Sequence, residues 1–448
     1  MAARPVSSVS PDLLIRGGRV VDPSQQLDLV ADLYMSGGKI AGLGRRPDSP
    51  GDECLVIDAN GLVVGPGFID THCHLREPGF EEKETIATGT RAAARGGFTT
   101  ACCMPNTEPP LDSPSAIDRV LRVAAREGLI RVLPIGCVTR GRAGRELADF
   151  GELSISGVVG FSDDGAPVAD AAIMRRALEC SRALGLPVID HCEDLALSQG
   201  GVVNEGPIAE RLGLKGIPPA AEANMVYRDI DLARSTGGRL HIAHVSTAES
   251  VYLVRRGKEQ GVAVTAEVTP HHLTLGEDLA ASGDPNAKVN PPLRSEYDIA
   301  ALVKGLRDGV IDFIATDHAP HTEADKSRGF EAAAFGISGF ETALGSLMGL
   351  VQQGEIDLPA LIARLTCKPA AFLRRPDIGT LRPGSTADVV IFDPDAEWVV
   401  NPADFASKGR NTPLAGFRLR GRVVVTVSRG MVVYRSEGAP FSGKGRSR

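Results

Sequence analysis

Between residues 62 and 379, short apolar runs alternate with helix-prone stretches, and this alternation constrains the chain more than any other feature. Eight runs have strand character: 64–72, 99–103, 132–137, 157–162, 187–191, 240–244, 263–268 and 312–316. Helical candidates lie between them, including 81–95, 115–126, 170–184, 219–235, 248–260 and 296–307. Strand–helix units in series indicate a parallel sheet, and eight of them indicate closure into an α/β (β/α)8 TIM-like barrel. An open doubly wound sheet is the alternative. No glycine-rich phosphate loop follows any strand, so nothing points to a nucleotide site.

Both ends read differently. Segments 13–21, 31–41 and 54–57 are β-prone, and so are 387–392, 398–400, 418–427 and 431–434. Chain termini of a compact domain often lie close together. The expected organisation is therefore a small discontinuous β-sandwich domain from residues 1–62 and 380–448, flanking a barrel over 63–379. A length of 448 residues suits one large barrel with a minor domain better than three separate domains.

The bulk numbers exclude several classes of function. The net charge is −7 and the 49 basic residues are spread along the chain, which disfavours nucleic acid or an anionic membrane as partner. No apolar run reaches the roughly 18 residues of a membrane span. Residues 1–12 have no secretory signal character, and the expectation is a frayed start and a disordered basic tail at 443–448. None of the eight cysteines forms a C-x-x-C pair. Most sit in apolar runs, which predicts a reducing, cytoplasmic compartment and no cysteine-based zinc site.

The polar residues then carry the argument. His72 and His74 are two apart at the end of the first barrel strand, so both rings can face one ion while Cys73 faces away. Asp163-Asp164 ends the fourth strand, His191 the fifth, His244 the sixth, and Asp317 follows the eighth. Singly, such residues read as helix caps or core histidines. Together they converge on one rim, where barrels of this kind build active sites. Imidazole with carboxylate suits Zn²⁺, with Mn²⁺ or Co²⁺ as substitutes. Four histidines and two aspartates suffice for two ions sharing a carboxylate. Such ions acidify water from a pKa of about 16 to near 7 and polarise a carbonyl. His241 lies three residues before His244, so its ring faces the other way. His271 and His272 could orient ligands or simply pack in the core.

These residues resemble the amidohydrolase superfamily, and more narrowly the longer bacterial dihydroorotases. The motifs are Gly67 to Gly79 (GFIDTHCHLREPG), Thr99 to Pro109 (TTACCMPNTEP), Phe161 to Gly165, His191 to Asp194, His241 to Ser246, Lys288 to Arg294, Ala315 to His321 and Phe335 to Ile337. They run in order over nearly the whole chain. By this resemblance, His72 and His74 bind one zinc ion, with Asp317. His191 and His244 bind a second, and Asp164 rather than Asp163 bridges the two. Many relatives bridge with a carboxylated lysine on strand four. Here no lysine lies between Lys83 and Lys215, so that option is closed.

The resemblance implies reversible hydrolysis of a cyclic amide, L-dihydroorotate to N-carbamoyl-L-aspartate, in pyrimidine synthesis. Asp317 would act as general base and then acid. Arg76 would grip the substrate carboxylate, with His74, Asn106 and His321 beside it. The plainer reading of Arg76 is an ion pair with Glu77 or Glu81. Asn290 and the backbone at Phe335 and Gly336 would hydrogen-bond the ring. Residues 321–335 read either as a lid or as an ordinary solvated loop. The nearest rivals are dihydropyrimidinase, hydantoinase and allantoinase, against which Arg76, the 104–107 segment and the missing lysine argue. A further rival is a non-catalytic scaffold for aspartate transcarbamoylase. Those relatives have lost metal ligands, whereas this chain keeps a candidate at each position. Homo-oligomerisation and docking on aspartate transcarbamoylase complete the expected partnerships.

Overall fold

A computed structural model of the chain describes residues 12–44 and 54–442. The expectations for 1–11 and 443–448 lie outside them. Strands Phe68–Cys73, Phe98–Cys103 and Arg131–Pro134 pair in parallel. Val188–Asp190, Leu240–Ile242, Val264–Val268 and Phe313–Ile314 form a second parallel group. Bridges join the groups into a ring. Phe161 pairs with Gly136 on one side and Val188 on the other, and Cys73 pairs with His318. The result is a barrel of eight parallel positions with helices between them.

The helices form where an apolar face meets good end signals. Helix Ala171–Leu184 buries Ile173, Met174, Ala177, Leu178 and Ser181, which share one face at helical spacing. Asp170 caps its start by accepting from Ala172 N and Ile173 N, and Gly185 ends it at φ 70°.

Several elements differ from the sequence reading. The run 64–72 is two strands. Val63–Pro66 pairs with Val389–Phe392 of an outer sheet, and only Phe68–Cys73 belongs to the barrel. The chain changes sheets at Pro66-Gly67, because proline has no N–H for the next ladder. A Cβ on Gly67 would lie 2.3 Å from the Thr99 side chain, so only glycine fits this crossing. The run 31–41 is a hairpin of Leu27–Ser36 and Lys39–Leu43, turned by Gly37-Gly38 at φ 56° and 74°. The expected strand 157–162 shrinks to its bridge at Phe161, since Gly157 and Gly160 weaken it. Segments 387–392 and 398–400 join into one strand, Val389–Val399.

Strands from both chain ends form one nine-stranded sheet. Its path runs Met431–Arg435, Arg418–Ser428, Val389–Val399, Val63–Pro66, Leu13–Asp22, Leu27–Ser36, Lys39–Leu43. Leu55–Asp58 branches from Leu13–Asp22 and pairs with Phe441–Ser442. The sheet curls back on itself through Ile40 N to Ser385 O and Ala387 N to Gly38 O. It thereby encloses a core of its own, including Leu13, Ile15, Leu33, Ile57, Val389 and Val425. Among the described residues no helix is long and apolar enough to cross a membrane. Cys73, Cys102, Cys103, Cys137 and Cys192 are buried and form no disulfide.

Asp22 fastens the two ends of the chain. Its buried carboxylate accepts from Leu381 N at 2.7 Å, Thr380 Oγ1 at 3.1 Å and Ser24 N at 2.9 Å. Asp22→Ala strands the Leu381 amide in the interior. The expected loss is about 2–3 kcal/mol of unfolding free energy, read from urea denaturation.

Candidate metal centre

Strand geometry delivers six polar side chains, His72, His74, Asp164, His191, His244 and Asp317, to the barrel's C-terminal rim. His72 ends the first strand with its ring inward, while the Cys73 thiol turns outward to Cys102 O. His191 and His244 follow strands five and six, and Asp317 follows strand eight. Asp70 fixes the relation of the first strand to the last, accepting from Thr316 N at 2.7 Å and Thr316 Oγ1 at 2.8 Å. The adjacent aspartates 163 and 164 separate by environment. Asp163 turns away and accepts from Val138 N and Thr139 N, at 2.9 and 3.0 Å. Asp164 points inward.

The Asp164 carboxylate lies at the centre of four imidazoles. Its Oδ1 is 3.4 Å from His72 Nε2, 3.6 Å from His244 Nε2 and 3.9 Å from His191 Nδ1. Its Oδ2 is 3.4 Å from His74 Nε2. Asp317 Oδ1 lies 3.0 Å from His74 Nε2 and 3.5 Å from His72 Nε2. Burial alone would raise both carboxyls. The surrounding imidazoles outweigh it and hold both well below the usual carboxylate range.

The far sides of three rings are already engaged. His72 Nδ1 meets Glu267 Oε1 at 2.7 Å, and Thr71 Oγ1 donates to Glu267 Oε2. His74 Nδ1 meets Asn106 Oδ1 at 2.9 Å. His191 Nε2 meets Glu193 Oε2 at 3.0 Å, and Asn290 Nδ2 donates to the same oxygen. Each partner fixes a ring so that its other nitrogen turns toward the cluster, facing Asp164 for His72 and His74 and meeting His244 Nε2 at 2.8 Å for His191, the arrangement typical of metal-binding histidines.

These residues fit a metal. His72 Nε2, His244 Nδ1 and Asp164 Oδ1 are buried without a hydrogen-bond partner, where orphaned polar atoms cost about 1–3 kcal/mol each. Two overlapping donor sets, His72–Asp164–His244 and His72–His74–Asp317, each bring ligand atoms within 4.8 Å of one another. A third cluster, Asp190–Cys192–Asp229, is already filled. Arg228 Nη2 pairs with Asp229 at 2.7 Å, and burial, with Asp190 beside it, pushes the Asp229 carboxyl well above the usual carboxylate range.

The backbone is bent to make this rim. Arg76, His244 and Asp317 adopt φ of 62°, 32° and 45°, a region that side-chain-bearing residues rarely enter and that concentrates at functional sites. Above the cluster is a cleft of about 190 Å³, lined by His74, Arg76, Asn106, Asp164, His191, His244, Asn290, Asp317, His321, Phe335 and Gly336. His72 lies beneath it.

Arg76 has no carboxylate partner among the described residues. Glu77 instead accepts from Ile86 N and Glu81 from Gly79 N. The guanidinium donates to Pro320 O at 3.2 Å and approaches His321 Nε2 at 3.2 Å. Burial depresses its pKa to about 10, so it stays a cation. His321 Nε2 lies 2.8 Å from Phe335 O, and burial beside Arg76 pushes its pKa down to about 3. Both backbone polar groups of Gly336 are engaged: its N–H donates to Lys288 O and its carbonyl accepts from Asn411 Nδ2. Contrary to the expectation that it faces the other way, His241 stacks on Phe313 and lies 3.2 Å from Glu267, the carboxylate that also holds His72. His272 bonds Thr269 Oγ1 and Pro291 O. His271 is buried and held neutral, with Nε2 unpartnered.

Residues 321–335 carry an internal anchor. They contain two short helical turns, and the buried Lys326 ammonium donates to Pro285 O, Lys288 O and Ala334 O. Sequence reasoning missed this anchor, and it missed Glu267, Glu193 and Asn411. The one available signal was Glu267, a lone acid inside an apolar strand. Glu267→Gln removes the anionic partner of His72. Metal affinity, read by chelator competition, should fall about 10–100-fold with the fold intact.

Comparison with known proteins now bears on this site. The family described as "Dihydro-orotase-like" matches residues 61–250, and "Amidohydrolase family" matches 209–434. A dihydroorotase of Pelotomaculum thermopropionicum is 52% identical over 422 residues, covering 94% of this chain and 98% of that one. One from Anaeromyxobacter dehalogenans is 51% identical over 428 residues, covering 95% and 98%. Among solved structures, an L-hydantoinase (dihydropyrimidinase) from Arthrobacter aurescens superposes with a TM-score of 0.86 at 26% identity, covering 95% of this chain and 96% of that one. A dihydropyrimidinase from Brevibacillus agri gives 0.82 at 25%, covering 96% and 97%. With half of its residues shared across nearly the full length of such relatives, this chain belongs to the dihydroorotase family of metal-dependent amidohydrolases.

Proposed function

We infer that this enzyme interconverts L-dihydroorotate and N-carbamoyl-L-aspartate by opening and closing a cyclic amide. The observation that carries the reading is Arg76. A half-buried guanidinium faces the cleft beside the Asp164 cluster with no carboxylate of its own. Dihydroorotate brings a carboxylate, whereas hydantoin, the ring cleaved by the structural neighbours' namesake activity, has none. A planar guanidinium binds a carboxylate through two parallel hydrogen bonds.

The donor set suits two zinc ions. His72, His74 and Asp317 would hold one, His191 and His244 the other, with Asp164 shared. When bound, such ions acidify water and polarise a carbonyl oxygen. The remaining work belongs to side chains. Asp317 is kept ionised and engages His74 through Oδ1, which leaves Oδ2 for a proton. In hydrolysis, water attacks the ring carbonyl carbon and Asp317 takes its proton. The ring C–N bond then breaks, and Asp317 returns that proton to the leaving nitrogen. Ring closure runs the same steps backwards. Arg76, Asn106 and His321 would orient the substrate carboxylate, and Asn290 with the Phe335–Gly336 segment would border the ring. His74 lines the same cleft.

The family resemblance extends this reading to a homo-oligomer and to docking on aspartate transcarbamoylase. Measuring particle size with and without that enzyme tests both. The buried thiols support a reducing, cytoplasmic compartment.

Purified enzyme should carry about two zinc ions per chain and turn over dihydroorotate in preference to hydantoin and allantoin. Preference for hydantoin, or protein that takes up no metal, would sink this reading. Arg76→Ala should keep its metal while kcat/KM for dihydroorotate falls about 100-fold, equivalent to about 2.7 kcal/mol.

A further inference from the structure

We propose that Asn411, far outside the barrel in sequence, is a positioning residue that holds the substrate-facing loop in its working shape. The inference rests on the catalytic reading above and adds a residue to it. Two short segments border the cleft on the Arg76 side. Residues 319–321 lead away from Asp317, and residues 335–338 return to the barrel after the 321–335 excursion. They meet directly through Ala319 N to Ile337 O at 2.9 Å, the bridge of His318 with Ile337, and His321 Nε2 at 2.8 Å from Phe335 O.

The Asn411 side chain spans them. Its Oδ1 accepts from His321 N at 2.9 Å and from Ser338 Oγ at 2.9 Å. Its Nδ2 donates to Ala319 O and Gly336 O, both at 3.0 Å. One amide thus uses both hydrogens and both acceptor sites, two bonds to each segment. Asn411 is 3% exposed, so these bonds meet little competition from water. Its backbone carbonyl adds a further bond from Ser338 N.

The approach is close enough to exclude alternatives. A Cβ on Gly336 would sit 2.7 Å from Ala319 O, so the two segments touch where Asn411 joins them. Their side chains face the chemistry. His321 lies against Arg76, and Phe335 O lies against His321.

Asn411 is itself held over the barrel mouth. Ser407 Oγ and Lys408 N donate to Glu84, and Ala406 N donates to Glu341. Glu84 also meets His318 Nε2 at 3.3 Å, next to Asp317. Residues 406–411 therefore strap the loop after the first strand to the loop after the eighth. A shift of the strap would move His321 and its contact with Arg76 without touching the Asp164 cluster. The expected kinetic signature is a change in KM rather than in metal content.

The test is kinetic. Asn411→Asp keeps the shape and both acceptors but replaces the donors toward Ala319 O and Gly336 O with a carboxylate oxygen. Asn411→Ala removes all four side-chain bonds without adding charge. Both should raise KM for dihydroorotate at least tenfold, change kcat less than threefold and keep wild-type metal content, with Asp the more severe. Asn401→Ala, an exposed turn residue at the start of the same segment, should leave KM within twofold. Wild-type KM in both folded Asn411 variants, or failure of both to fold, would overturn the proposal. Should the wild type not turn over dihydroorotate, the catalytic reading fails and this one is decided by amide exchange. The His321 N–H should exchange at least tenfold faster in Asn411→Ala, and an unchanged rate would overturn it.

Discussion

A carboxylate buried among four imidazoles governs this structure. Asp164 has no hydrogen bond to its Oδ1, although His72, His191 and His244 approach within 4 Å. An arrangement of this kind is costly in a dry interior unless a cation joins it. The surrounding structure holds the donors at that separation. Glu267, Asn106 and Glu193 grip the outer edges of the rings. Three residues of the rim accept left-handed backbone to aim their side chains. The barrel supplies the stiffness, because each of these groups sits at or just beyond a strand pinned on both sides.

Much of this was legible in the sequence, for a definite reason. Side chains alternate along a strand, so His72 and His74 had to face the same way and Cys73 the other. A barrel gathers its strand ends, so polar residues at successive ends had to meet. The same logic failed where its premise failed. Glu267 lies within its strand rather than at the end, and its contact with His72 spans 195 residues. The run through Pro66-Gly67 is uniformly apolar, so no change of period marks the point where the chain leaves one sheet for another. Strand four was legible by position but not by length. Two glycines reduce it to a single bridging residue, yet the turn that follows still aims Asp164 inward.

The 321–335 segment teaches a complementary lesson. Small and charged residues left a lid and an ordinary solvated loop equally open, and neither reading foresaw that Lys326 is buried with three backbone carbonyls around its ammonium. A lysine reads as a surface residue until tertiary structure supplies acceptors. The outer sheet was likewise visible as β-prone ends but not as a contributor to the rim. Its connections reach both barrel faces. Arg131 Nη1 meets Asp388 Oδ2 at 2.9 Å at the start of a barrel strand, while Ser407 and Asn411 act at the opposite mouth.

The lysine-free stretch from residue 84 to 214 has a consequence for how the centre comes into being. A carbamate formed on a lysine must be captured from dissolved carbon dioxide after the chain has folded, and it can be lost again. The central carboxylate here is encoded in the gene. Its assembly asks nothing of the gas phase, so the cluster can form as readily in a degassed buffer as in a bicarbonate-rich cell.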